Sequence, residues 1–254
     1  MRKSLYQFLP IFLFLGLIYS IFSSESVYSQ EKVDLEKIIQ MSIDAQGGKE
    51  ILDKVNESYI VAGIKVFTPQ GEFLGERKIY MRSEPMRIRI EQTIMGVETV
   101  IGYDGEKAWF QQMGQAIEAP KFIFDSFKAS EKRENLLMRY KEKECKLEYL
   151  GVSNIEGRDC HGIKFIDKQG EETNIFFDKE TFLPVKTEYS ARNESGQIVK
   201  TENISFDFKE VEGMKIQFRS VAYADGKKIM ETTIKEIKLN PGFDDKIFSM
   251  PEKK

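Results

Sequence analysis

The chain has 254 residues, with 38 Lys and Arg against 41 Asp and Glu, a formal net charge of −3, and one His, one Trp and two Cys beside 19 Phe and 10 Tyr. A single His excludes two-His zinc sites, and a Ser/His/Asp triad finds no Gly-x-Ser-x-Gly elbow to supply its nucleophile. Lys and Glu are interleaved without a basic block, which speaks against a nucleic-acid partner.

Arg2 and Lys3 lead into an apolar run, Leu5 to Phe22, followed by the small and polar stretch Ser23 to Ser29. That order reads as a secretory signal peptide over residues 1–29, with Val27 and Ser29 suited to the two small-residue positions before the cut. The run approaches the roughly 18–20 apolar residues of a spanning helix, so an uncleaved anchor is the alternative. Removal of Arg2, Lys3 and Glu25 with the leader leaves a net charge of −4 on residues 30–254. That length suits one domain with a substantial core and contains no second spanning run.

Asp34 is placed to cap a helix over 34–46 that carries Leu35, Ile38, Ile39 and Ile43 and stops at Gly47-Gly48. A short second helix is expected over 49–55. Strands follow over 59–67, 72–82, 86–91, 97–102 and 107–112. Met86 to Glu91 alternates apolar and charged residues, the period-two mark of a strand with one dry and one wet face. Residues 120–145 then turn helical in composition, with Phe122, Ile123, Phe124 and Phe127 at the start and Leu136, Leu137 and Tyr140 further on. Seven further strands are expected over 147–155, 161–167, 173–177, 183–189, 198–208, 214–223 and 229–239. About 11–12 strands at this spacing predict a mainly β fold: a half-open antiparallel barrel with N-terminal helices and an inserted helical lid.

Cys145 and Cys160 would be a natural pair in a secreted chain. With Glu156-Gly157 as a hairpin turn, however, Cys160 falls opposite a residue near 153 and Cys145 opposite one near 168. At about 3.3 Å per residue along a strand, that separation exceeds the roughly 7 Å Cα limit of a bridge. A disulfide then requires Cys145 to sit in a loop that folds back.

The apolar faces of a curled sheet converge on one interior, which its own side chains fill or which holds a ligand. The residues expected to line such an interior and its cover are Ile60, Ile64, Ile88, Ile90, Trp109, Phe122, Phe124, Phe127, Leu136 and Leu137. For the Phe-rich start of the insert two readings stand open: a plug of ordinary core, or a lid over an apolar cavity. Trp109 also suits a core or rim position, Arg87 and Arg89 a solvated outer face, and His161 a strand end. No residue is assigned a catalytic or metal-ligating role, and no cofactor is expected.

Four stretches in order resemble the outer-membrane lipoprotein-sorting proteins, the LolA-like superfamily. They are Ser42 to Val55 around Gly47-Gly48, the Tyr103-Asp104-Gly105 turn leading to Trp109, Phe177 to Val185, and the tail Pro241 to Pro251 with its Phe248-Ser249-Met250-Pro251. The resemblance implies a half-open β-barrel with helices in its mouth and a periplasmic protein that holds acyl chains of lipoproteins or related lipids. The superfamily includes carriers, receptors and stress-sensing regulators. Two functions follow as expectations. The first is a non-enzymatic carrier shielding acyl chains, each CH₂ contributing about 0.8 kcal/mol. The second is an interaction or envelope-stress sensor module that docks an inner- or outer-membrane partner protein.

Overall fold

The computed structural model describes residues 33–193 and 195–252; the expected signal peptide lies outside them. Four helices and thirteen strands follow in chain order. Helices α1 (Leu35–Ala45) and α2 (Lys49–Leu52) precede β1 (Glu57–Thr68), β2 (Gly71–Ser83), β3 (Met86–Ile94), β4 (Val97–Tyr103), β5 (Ala108–Gln112) and β6 (Gln115–Glu118). Helices α3 (Lys121–Arg133) and α4 (Leu136–Arg139) then lead to β7 (Lys146–Ile155), β8 (Arg158–Ile166), β9 (Glu172–Asp178), β10 (Pro184–Arg192), β11 (Ile198–Val211), β12 (Met214–Ala224) and β13 (Lys227–Leu239), with a 3₁₀ turn at Asp245–Phe248.

All thirteen strands form one antiparallel sheet in the order β6-β5-β4-β3-β2-β1-β13-β12-β11-β10-β9-β8-β7. It is two meanders joined at β1 and β13, where Ile60 pairs with Ile237. The helical insert connects the two edge strands, β6 and β7, which do not pair with each other, so the barrel stays open there. The expected fold class is the observed one, with β6 as an additional strand. Two-residue turns with positive φ at both positions make five of the hairpins, including Glu156-Gly157 (φ 50° and 82°) and Met113-Gly114 (φ 50° and 78°). This geometry matches the strand twist and favours Gly at the second position.

The N-terminal helix is capped as its sequence predicts: the Lys37 N–H donates to the Asp34 carboxylate at 3.0 Å. Its far end is seated on the β11–β12 turn, where the Lys215 N–H donates to the Gln46 carbonyl at 3.0 Å. Gly47, at φ +126°, is required there, because a Cβ would stand 2.5 Å from the Gly213 carbonyl oxygen. The second helix ends at Leu52, short of the expected 55.

Register divides the sheet into two faces. Ile237, Ile60, Ile79, Ile90, Ile101 and Phe110 lie in one cross-strand row, on the inner face, against which the helices pack. On β8 and β9 the inner face carries Ile163, Phe165, Ile175 and Phe177, which bury Ile38, Ile39 and Ile43 of α1 together with Leu136 and Tyr140. The outer face of β1–β5 is covered by the chain's last residues. There the Trp109 indole N–H donates to the Phe248 carbonyl at 2.7 Å, and Phe243 and Phe248 pack edge to face, 5.8 Å apart.

Candidate functional site

Between the inner face and the helices lies a cavity of about 470 Å³, within the usual range of small-molecule sites of roughly 300–1,000 Å³. Sheet residues Met81, Ile175, Ile237 and Leu239 line it from one side, and Ile43, Leu136, Leu137 and Met138 from the helical side. Around it the inner wall is apolar yet only partly covered. Of the lining residues, Met81, Ile237 and Leu239 on the sheet and Leu137 and Met138 on the helices are half-buried, whereas side chains of this kind are usually fully enclosed in an ordinary core.

The residues singled out from the sequence do not share one environment. Ile60, Ile64, Ile88 and Ile90 share the inner face, with Ile64 buried and the others half-buried. Leu136 and Leu137 border the cavity. Phe127 instead packs as core: its ring stacks on Tyr103 at 5.3 Å, Phe124 meets the same ring edge-on at 6.2 Å, and Ala108 and Ala119 complete the cluster. Phe122 is half-buried and joins none of the buried clusters. At the start of α3 the plug reading therefore describes Phe124 and Phe127, whereas the hollow lies beneath the end of α3 and α4.

Trp109 does not line the cavity. It pairs with Gly102, which in turn pairs with Arg89, on the outer face. A Cβ on Gly102 would lie 2.1 Å from the indole, so only Gly leaves the ring its place. Arg89 is not a solvated outer residue either. It lies 5.5 Å over the Trp109 ring and donates to the Ile247 carbonyl at 3.2 Å, and Arg87 reaches Asp245 at 2.7 Å. Sequence reasoning missed Met81, Met138, Ile237 and Leu239. The alternation of Ile79 with Met81, and of Ile237 with Leu239, is visible in the sequence, but the seam that sets these pairs beside α4 joins the two ends of the chain.

The helical cover is fastened at its rim by exposed ion pairs. Arg139 pairs with Glu84, Lys141 reaches Glu36 at 2.6 Å, Lys132 reaches Glu171 at 2.9 Å, and Lys168 reaches Glu144 at 2.6 Å. Such pairs contribute roughly 0–1 kcal/mol each and are screened by salt.

A second cavity, of about 560 Å³, adjoins the first and is bordered mostly by charged and polar residues, with Leu136, Cys145, Phe165 and Tyr189 among them. Arg133, Leu136 and Thr173 border both. The Arg133 guanidinium stands 3.9 Å over the Tyr189 ring, and burial pulls its pKa down from the usual arginine value. Burial likewise lowers Lys143, whose ammonium donates to the Lys132 carbonyl at 2.7 Å and to that of Glu134. Glu134 is pushed upward by burial while it accepts from the Ser83 hydroxyl at 2.9 Å.

Cys160 is fully buried beneath the outer face, opposite Ser153, and burial pushes its thiol up to about 11. Both cysteines are free thiols, in keeping with the separation that the hairpin register predicts.

A family model described as "Uncharacterized protein" matches residues 124–252, just over half of the chain. The chain belongs to that family. Among solved structures it is similar to a LolA superfamily protein from Nitrosomonas europaea (13% identity over 85% of this chain and 98% of that one, TM-score 0.54). It is similar as well to a domain named for outer membrane lipoprotein sorting from Vibrio parahaemolyticus (14% identity, 84% and 95%, TM-score 0.51). A DUF1329 family protein from Desulfovibrio piger matches at 13% identity over 84% and 96%, with a TM-score of 0.55. The fold is that of the LolA superfamily. No curated protein matches the sequence significantly.

Proposed function

We propose that this protein is a non-enzymatic, periplasmic carrier that shields an acyl chain of a lipid or lipoprotein between its sheet and its helical cover. One observation carries the reading: Met81, Ile237 and Leu239 of the sheet and Leu137 and Met138 of the helical cover are left half-buried around a hollow of about 470 Å³. A folded chain gains by covering such a surface, and an acyl chain can cover it without a hydrogen-bonding partner or a cofactor. The weakly fastened rim fits a cover that opens to admit cargo and to release it. The similarity to a domain named for lipoprotein sorting supports the same reading.

Native mass spectrometry of the purified protein, together with titration of a fluorescent fatty acid, tests it. Co-purifying lipid, or saturable binding of one probe per chain, is the expected result. Absence of both overturns the carrier.

A second reading has its own observation. The edge strand β7 carries Leu150 (39% exposed) and Val152 (51% exposed) beside unpaired backbone, a surface on which a partner's strand could add. Recovery of one stoichiometric protein partner with a lipid-free preparation would favour this sensor or docking role.

A further inference from the structure

The charge-lined cavity beside the apolar one holds an arginine that Glu171 attracts only at a distance, Glu171 being paired with Lys132. Arg133 makes no ion pair among the described residues, and its one side-chain hydrogen bond is a long one, 3.4 Å to the Ser130 hydroxyl. The carboxylates that border the same cavity are engaged elsewhere. Glu171 is held by Lys132 at 2.9 Å and Glu172 by Lys164 at 2.9 Å. Asp167 accepts the N–H groups of Gln169 and Glu171 at 2.8 Å each, and Glu142 lies 3.9 Å from Arg139. Lys143 lines the cavity too. It gives two of its three N–H donors to the backbone carbonyls of Lys132 and Glu134 and pairs with no carboxylate among the described residues.

We infer that Arg133, with Lys143 beside it, is an oxyanion site: the ligand carries a phosphate-type anionic group in the charge-lined cavity while its chain occupies the apolar one. Resting on the acyl-carrier reading, this assigns the class of its ligand as an anionic amphiphile. The two cavities share Arg133, Leu136 and Thr173 as a common border, so one molecule can reach both. The Tyr189 ring, 3.9 Å from the guanidinium, restricts its movement, and a guanidinium fork is suited to two parallel bonds to one oxyanion. The desolvation that lowers both cations is relieved when an anion binds. With a formal net charge of −3, the chain as a whole repels anions, so any preference for them must be local.

The test compares 1-oleoyl lysophosphatidate with 1-oleoylglycerol, which share one chain, below their micelle concentrations by calorimetry, with inorganic phosphate as a third probe. Charge-assisted hydrogen bonds to the phosphate lead to the expectation that the phosphate-bearing lipid binds about tenfold tighter or more. Arg133→Gln is expected to bring 1-oleoyl lysophosphatidate down to the affinity that the same variant shows for 1-oleoylglycerol, with an unaltered thermal midpoint excluding loss of fold. Equal binding of the two lipids by the unsubstituted protein overturns the oxyanion site and leaves the carrier standing. A preference that survives Arg133→Gln also overturns it. Binding of phosphate that depends on Arg133, with neither lipid bound, keeps the site for a free anion and overturns the carrier. Binding of none of the three overturns both.

Discussion

The Trp109 indole N–H and the Phe248 carbonyl, 139 positions apart in the chain and 2.7 Å apart in space, tie β5 to the last turn of the protein. Phe248 is fully buried. Its ring stands against Phe243, which meets Tyr80 at 5.7 Å, and Tyr80 meets Tyr59 at 5.0 Å. Phe248→Ala empties the end of this aromatic row, a change that typically costs about 3–5 kcal/mol. Urea unfolding should show that loss, and binding of a fluorescent fatty acid at native temperature should be unchanged, since the row lies on the face opposite the cavity.

Glu57 anchors the same tail. Its carboxylate accepts from Arg82 at 2.6 and 2.9 Å and from the N–H groups of Gly242 and Phe243 at 2.9 and 3.0 Å. Burial alone would raise its pKa, but these bonds outweigh it and hold the group below the usual Glu value. A carboxyl lowered on folding contributes stability above its unfolded pKa and loses it as pH falls through the folded value. Glu57→Gln should therefore cost roughly 1–3 kcal/mol at pH 7, and the gap between variant and parent should close in acid. Paired thermal melts from pH 7 down to pH 3 (about the lower end of carboxyl titration) measure it; a gap independent of pH would contradict the assignment.

In the carrier proposed above, the rim pairs would help set how readily the cover opens. Replacing Arg139 and Lys141 by Gln removes the links to Glu84 and Glu36. Each exposed pair contributes at most about 1 kcal/mol, so global stability should move little. Release of an uncharged lipid probe, followed by stopped flow, should quicken about two- to fivefold, and salt should quicken it more in the parent protein than in the variant, which keeps only the Lys132–Glu171 and Lys168–Glu144 pairs of the rim.

Leu137 borders the hollow and is half-buried. Leu137→Trp places a larger side chain there. Filling a real void is tolerated, whereas overpacking a dense core costs roughly 1–3 kcal/mol. The expected outcome is an unchanged or raised melting temperature with acyl binding weakened about tenfold or more, a loss near the transfer energy of two methylenes. A lowered melting temperature with intact binding would mean that the space is already filled.

The two thiols should differ. Cys160 is fully buried, with its thiol near 11, and Cys145 is half-buried. Only the thiolate reacts, so titration of the native protein should modify Cys145 alone, slowly, and both cysteines after denaturation in guanidinium. An unreactive denatured protein would reveal the disulfide that the register argues against.

Local signals carried most of the architecture. Asp34 and Gly47 bound the first helix, Glu156-Gly157 sets the β7–β8 register so that Cys160 meets Ser153, and the alternation of Ile88 and Ile90 with arginines marks β3. The short β6 escaped because Gln115 to Glu118 offers a single large apolar residue, Ile117, although Met113-Gly114 supplies its turn. The side on which Trp109 stands was not legible locally. Ala108, Trp109 and Phe110 are apolar on both faces of β5, and the outer one is dry only because Phe243 and Phe248 return to cover it. Likewise Phe124 and Phe127 have the composition of a lid and the environment of a core, a distinction that depends on Tyr103, a residue of a different strand.

The seam at β1 and β13 leaves the gap between β6 and β7 bridged by one linker, residues 119–145. Every other strand connection is a hairpin loop of two to five residues, and lengthening the two-residue ones would disturb the pairing beside them. In the carrier proposed above, cargo size is thus adjustable at a single stretch, where insertions or deletions would change capacity while leaving each ladder untouched. Among homologues, length variation should gather in that linker.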